Sequence, residues 1–160
     1  MIQIDIIAVG KLKEDYLKEG IAEYQKRMPP LAKLRMIEIV EEKCSLEPTK
    51  SEIESVKTNE GKRILAHLPE KGQIFVLDLR GQMLSSEQLA EHLLEATNQG
   101  ASHFTFVIGG SFGLSKAVCD RAALKVSFGR MTYPHQLMRL ILLEQIYRVL
   151  KINRNEPYHK

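Results

Sequence analysis

The chain has 160 residues, 44% of them hydrophobic and 27% charged, which suits one domain with one core and excludes a disordered or fibrous chain. Its formal net charge of +3 is unevenly distributed: residues 1–120 hold 15 Lys and Arg against 18 Asp and Glu, whereas residues 121–160 hold 8 against 2. A basic C-terminal end favours an anionic partner, nucleic acid first among them, or else marks a solvated helix face.

Ile2 to Val9 reads as a strand, and Lys13 to Met28 as a helix with Leu17, Ile21, Tyr24 and Met28 on one face, stopped by Pro29 and Pro30. Leu34 to Val40 is a second strand. The polar stretch EEKCSLEPTK leads to a helix from about Ser51 to Leu68. QIFVLDL is a short buried strand, and Ser85 with Gln88 forms a capping box for the next helix, which Gly100 closes. HFTFVIG is the fourth strand, Ser115 to Leu124 a short helix, KVSF the fifth strand, and Pro134 to Lys151 a long last helix with proline in its first turn.

Strands alternating with helices predict an α/β fold: a single domain over residues 1–160 with a parallel sheet covered on both faces. Ligands of such sheets sit at the carboxyl ends of the strands, where LDLRGQ, VIGGSFG and SFGRMTYPHQ fall, so three loops point to one pocket. The last helix is apolar on too many sides for one stripe, with Leu137, Leu140, Ile141, Leu142, Leu143 and Ile146 among its residues. Cover from a second subunit, hence a homodimer, is the expectation, with a central place in the core as the alternative.

Cys44 and Cys119 lie far apart without Cys-x-x-Cys or His-rich spacing, which argues against a disulfide framework and against a metal site. MIQIDIIAVGK begins on a strand-like run with no basic leader, and no apolar segment approaches membrane-spanning length; a cytoplasmic protein with no membrane attachment is expected. The glycine turn lacks the lysine and serine or threonine of a phosphate-binding loop, and AVGKLKED offers one glycine where a dinucleotide fingerprint needs three. Gly109, Ser111 and Gly113 do satisfy Gly-x-Ser-x-Gly, so a serine hydrolase with Ser111 as nucleophile stays open beside a plain tight turn.

The combination of IGGSFGLS, SFGRMTYPHQLMRLILLEQIYR and a terminal PYHK, with AVGKLK and EGKRIL earlier, resembles the RlmH family over the whole chain. These are SPOUT methyltransferases that methylate N3 of a pseudouridine in 23S ribosomal RNA of the large subunit. The resemblance implies a C-terminal trefoil knot, S-adenosylmethionine as cofactor, a homodimer, and an rRNA hairpin loop in the assembled ribosome as substrate. It also implies cofactor contacts from Leu77, Gly109, Phe128, Gly129, Arg130, Met131, Thr132 and Tyr133. Gly109 is expected to give backbone access to the cofactor, and Leu77, Leu114 and Met131 to supply apolar walls; Leu114 and Met131 read equally as core residues. Arg154, Tyr158 and His159 are the expected catalytic residues, reaching the partner subunit's cofactor, with His159 able to accept the N3 proton. His135 and Arg139 are expected to meet RNA, His135 equally as a helix cap. A non-catalytic RNA-binding protein of the same fold is the alternative.

Overall fold

Ile4, Ile6 and Ala8 of strand β1 (Gln3–Val9) enter one hydrophobic cluster while Ile7 and Val9 enter another. A period of two with apolar residues on both sides is the mark of a central strand covered on both faces. The computed structural model, which describes residues 1–160, shows the reason. After β1 come α1 (Asp15–Arg27), β2 (Lys33–Ile39), α2 (Lys50–Leu65), β3 (Gln73–Met83), α3 (Ser86–Asn98), β4 (His103–Ile108), α4 (Lys116–Asp120), β5 (Leu124–Ser127) and α5 (His135–Asn153). The strands form one sheet in the order β2-β1-β4-β3-β5, every neighbouring pair parallel.

One face carries α1, α5 and α3, the other α2 and α4. Two of the crossover helices, α2 and α3, begin where their side chains dictate. Thr49 with Glu52 and Ser85 with Gln88 each satisfy the free amides of a first turn reciprocally. The short helix ends at Asp120, earlier than its sequence suggests, because the Ala123 amide leaves to bond the Ile74 carbonyl and begin β5.

β3 is longer than the apolar run QIFVLDL. Its pairing with β5 shifts register between Leu77 and Gln82, both of which lie opposite Val126, so residues 78–81 bulge out before pairing resumes. Gly81 permits this: a Cβ there would lie 2.6 Å from the Lys125 carbonyl carbon.

α5 lies between α1 and α3 over the centre of the sheet, so most of its apolar surface is covered by its own chain. The alternative of a central core helix therefore holds for Leu142, Leu143, Ile146, Val149 and Leu150, all buried. What remains is a strip of Leu137, Leu140 and Ile141, which lines a groove of about 360 Å³ between α5 and α1. No helix is long and apolar enough to cross a membrane.

At the amino-terminal edge of the sheet the buried Asp5 accepts hydrogen bonds from Arg35 Nε at 3.1 Å and Nη2 at 2.7 Å, and meets His103 Nε2 at 2.8 Å. Burial opposes its ionisation, but Arg35, His103 and Gln3 outweigh burial and hold its carboxyl below the usual range. The stability this contributes is present above the unfolded carboxyl's titration and is lost as pH falls through the depressed folded value. Asp5→Asn is expected to cost about 2 kcal/mol at neutral pH and to flatten the acid limb of stability, as measured by urea unfolding across a pH series.

Candidate active site

β3, β4 and β5 end side by side, and the chain beyond each contributes one wall of a pocket of about 680 Å³. Leu77 to Arg80 form one wall, Ile108 to Leu114 a second, and Val126 to His135 without Arg130 the third, with Lys57 of α2 and Met138 of α5 at the margins. This is the place that the three loops predicted from sequence, and a parallel sheet puts it there because its crossovers leave the carboxyl ends open.

The glycine turn is shaped mainly by itself. A Cβ at Gly109 would lie 2.9 Å from the Gly113 carbonyl carbon and 3.0 Å from Leu114 Cγ, so the space freed by Gly109 is filled by the turn folding back. Access of a ligand to a bare backbone is therefore not what this glycine chiefly supplies. Gly113 differs: its φ of +86° is one that side-chain-bearing residues rarely adopt, and a Cβ there would meet nothing within 4 Å. Gly110 and Gly113 close the turn as an isolated bridge, the Gly113 amide donating to the Gly110 carbonyl at 3.1 Å.

The loop after β5 turns at Gly129, φ +118°. Buried Ser127 braces it, its Oγ donating to the Gly129 carbonyl at 2.9 Å and accepting the Gly129 amide at 3.2 Å. Phe128, Gly129, Met131, Thr132 and Tyr133 line the pocket. Arg130 departs from the expectation: it is exposed and lies outside the lining, carried outward by the turn at Gly129. Met131 is 74% exposed on the rim, which excludes the core reading for it. Leu114 does both, lining the pocket while packing on the α2–α4 cluster.

His135, the first residue of α5, lines the pocket. Arg139, one turn later, corrects the expectation of a residue facing RNA, being 2% exposed with its guanidinium turned inward. Its Nη2 donates to the carbonyls of Val9 at 3.2 Å and Gly10 at 2.7 Å, and its Nη1 to Glu38 at 2.7 Å. Burial opposes ionisation of Glu38, yet the Leu12 amide and Arg139 hold its carboxyl below the usual range. Gln136 adds two bonds to the backbone of Lys11 and Lys13, so AVGKLK is stapled to the start of α5.

The tail residues do not enter their own chain's pocket. Arg154 donates to the Pro30 carbonyl at 2.7 Å and pairs with Glu156. Tyr158 donates to Glu144 at 3.2 Å, lies 3.5 Å from the Tyr24 hydroxyl and carries the Arg148 guanidinium over its ring. Burial, with Tyr24 and Glu144, pushes the Tyr158 phenol far up, so it is a hydrogen-bond donor and never a base at working pH. His159 sits between Arg148, 3.1 Å from Nδ1, and Glu87, 2.6 Å from Nε2. Arginine only donates, so Nδ1 accepts and Nε2–H donates to Glu87.

Ser111 is exposed and makes no hydrogen bond with a histidine or an acid, while His159 is engaged by other partners on the α3–α5 face. The nucleophile-elbow spacing is thus met without the hydrogen-bonded histidine base that activates a serine. Sequence reasoning did not single out the exposed Arg80, the pocket-edge Lys57, or the brace at Ser127. For Arg80 the only signal was a cation within a pocket loop, which is too common to stand alone; Lys57 lies mid-helix, far in sequence from those loops, and carried none.

A family model described as "Predicted SPOUT methyltransferase" matches residues 2–159. The chain is also 56% identical to the ribosomal RNA large subunit methyltransferase H of Carboxydothermus hydrogenoformans, over 99% of this chain and 100% of that one. A methylase-family protein from Haemophilus influenzae shares the fold at a TM-score of 0.53 and 10% identity, covering all of this chain and 72% of that one. The chain belongs to the SPOUT methyltransferase family.

Because the turn closes upon Gly109, Gly109→Val is expected to lower stability by about 2 kcal/mol as well as weaken ligand binding. Urea unfolding and calorimetry on the same variant check both; full stability with lost binding would restore a purely ligand-facing role.

Proposed function

We propose that this protein methylates N3 of a pseudouridine in 23S ribosomal RNA, using S-adenosylmethionine, as a cytoplasmic homodimer acting on the assembled ribosome. The observation that carries this reading is the pocket at the ends of β3, β4 and β5 in a chain of a methyltransferase family. Its volume suits a nucleoside-sized ligand, and its composition fits one with flat apolar faces and polar edges. Leu77, Ile108, Leu114, Val126 and Phe128 offer apolar walls, and the backbone of residues 109–113 and 128–134 offers the polar rim. At Gly113 and Gly129 a Cβ would project into open space, so both turns stand free of side chains where a ligand would approach.

When bound, the cofactor supplies an activated methyl group on a sulfonium leaving group. The chain's own residues have two tasks, to orient the acceptor base and to favour its deprotonated form. A uracil-type N3 holds its proton at neutral pH, and the anion left on losing it spreads charge onto the flanking oxygens. Arg154 and the neutral Tyr158 are donors suited to that charge, and His159 Nδ1 carries a lone pair suited to the proton once Arg148 releases it.

These residues lie away from their own chain's pocket, which supports a site completed by the tail of a second copy. The apolar groove of Leu137, Leu140 and Ile141 shares Tyr24 and Glu144 with the tail network, so a partner seated there would lie beside the tail. The segment from Phe128 to Pro134 crosses from the β5 edge toward the sheet centre. Phe128 and Gly129 line the pocket together with the 109–114 turn and, on the other side, a second hollow together with Met83 to Ser86. That passage between two loops supports the trefoil crossing of the family.

The pocket mouth carries Lys57 and Arg80, with exposed Arg130 nearby, and Arg80 is 88% exposed with only Asp78 at 3.7 Å as a counter-charge. A cationic rim around the site suits a phosphate backbone. His135 at the pocket edge is the remaining base- or phosphate-contacting candidate.

The deciding experiment incubates the protein and methyl-labelled S-adenosylmethionine with ribosomes lacking the modification, with isolated large subunits in parallel. Label is expected in 23S RNA of the ribosomes; cofactor binding without label would leave a non-catalytic RNA-binding protein of the same fold. His159→Ala is expected to lower transfer by at least about a hundredfold while cofactor affinity stays within about twofold, and unchanged turnover would remove the tail from the site. Arg80→Glu is expected to weaken ribosome binding and reduce its salt dependence by about one phosphate contact, read from affinity against salt concentration.

A further inference from the structure

α2 crosses the sheet face opposite α5 and carries a carboxyl group where acids are seldom found. Glu60 is 3% exposed. Its Oε2 accepts the Glu42 amide at 3.0 Å, and its Oε1 has no partner. Directly across from it is Gly110: a Cβ there would lie 3.1 Å from Glu60 Oε1, 3.4 Å from Oε2 and 3.1 Å from Val9 Cγ1. Gly110 lines the pocket and Glu60 does not, so the carboxyl group stands immediately behind the glycine turn.

No cation pairs with it. On α2 the neighbouring cations are engaged elsewhere: Arg63 is bonded to the Val40 carbonyl and Glu42, and Lys57 pairs with Glu54. The β2–α2 connection contributes Glu41 and Glu42, both repelling a carboxylate. β1 contributes only Val9, and the turn only backbone. From α5, His135 and Arg139 approach Gly10 together with Glu41, and Arg139 is committed to Glu38 and two carbonyls. Burial above all, reinforced by Glu41 and Glu42, outweighs the Glu42 amide and the charge of Arg63 and pushes the Glu60 carboxyl up. A protonated carboxyl keeps one acceptor for the Glu42 amide and gains an O–H donor on the unpartnered side, where the turn's backbone lies.

We propose that Glu60 is the positioning residue of the cofactor pocket: its buried carboxyl group backs Gly110 and holds the Gly109–Gly113 turn in its ligand-receiving shape. The inference rests on the pocket being the S-adenosylmethionine site. Ionisation places an uncompensated charge behind the turn, draws water toward it and loosens the wall. The sign follows from a raised folded value: the contribution of Glu60 is intact at low pH and is lost as pH rises through the folded titration.

The test uses the full-length protein and S-adenosylhomocysteine in calorimetry from the ordinary carboxyl range at about pH 4.5 up to about pH 8, with amide exchange of residues 110–113 as a second readout. Wild-type affinity is expected to fall several-fold toward high pH while turn exchange quickens. Glu60→Gln, which keeps the shape and a neutral donor, is expected to bind with a flat profile, at least as tightly as wild type at the alkaline end. Glu60→Ala is expected to bind about tenfold weaker throughout, with a poorly protected turn. Should Glu60→Ala fail to fold, the comparison of wild type with Glu60→Gln decides alone. A Glu60→Gln profile that tracks wild type overturns the inference and leaves the cofactor assignment standing. Absence of wild-type binding at every pH overturns both.

Discussion

The guanidinium of Arg139 joins three parts of the chain that sequence separation would leave independent. It caps the carbonyls of Val9 and Gly10 at the end of β1, reaches Glu38 near the end of β2, and belongs to the first turns of α5. Those carbonyls lie at the open edge of the sheet, where a parallel strand has run out of partners, and a buried carbonyl without a donor is costly. Satisfying them from α5 fixes where that helix begins. The position of the helix start in turn fixes the segment from Phe128 to Pro134, which, Arg130 apart, lines one wall of the pocket.

The other walls are held by equally local means. Ser127 braces the turn at Gly129, Gly113 supplies a backbone angle that other residues resist, and Glu60 closes the space behind Gly110. Ser127 and Gly113 are residues with a small polar side chain or none, placed where the chain must approach itself closely. The result is a pocket with much backbone at its rim and largely apolar walls, preorganised before any ligand arrives.

The elements were legible wherever local chemistry decides them. The Ser85–Gln88 capping box, Pro29 with Pro30, and the apolar runs of β1 and β4 each act within a few residues, so pattern and structure agree, whereas the Thr49–Glu52 box that starts α2 was passed over. The end of α4 and the length of β3 were not legible, because each depends on a partner strand: Ala123 leaves the helix for Ile74, and β3 resumes pairing only because β5 lies beside it. The apolar excess of α5 was visible, but its cause lay in the two helices flanking it.

By itself the sequence determined the alternation of strands and helices, the three loops that meet, and through its separated motifs the methyltransferase family, because these depend on short-range periodicity and on residue types at fixed spacing. Tertiary structure alone decided that Arg139 turns inward, that Arg130 leaves the pocket, that Gly109 serves its own turn, and that the tail packs beside the α1–α5 groove. For Arg139 and the tail the physical reason is that each side chain's role follows from the buried polar groups it meets, and those are brought together from distant parts of the chain only when the sheet closes; for Gly109 and Arg130 it is the backbone path of a turn, which residue type alone does not set.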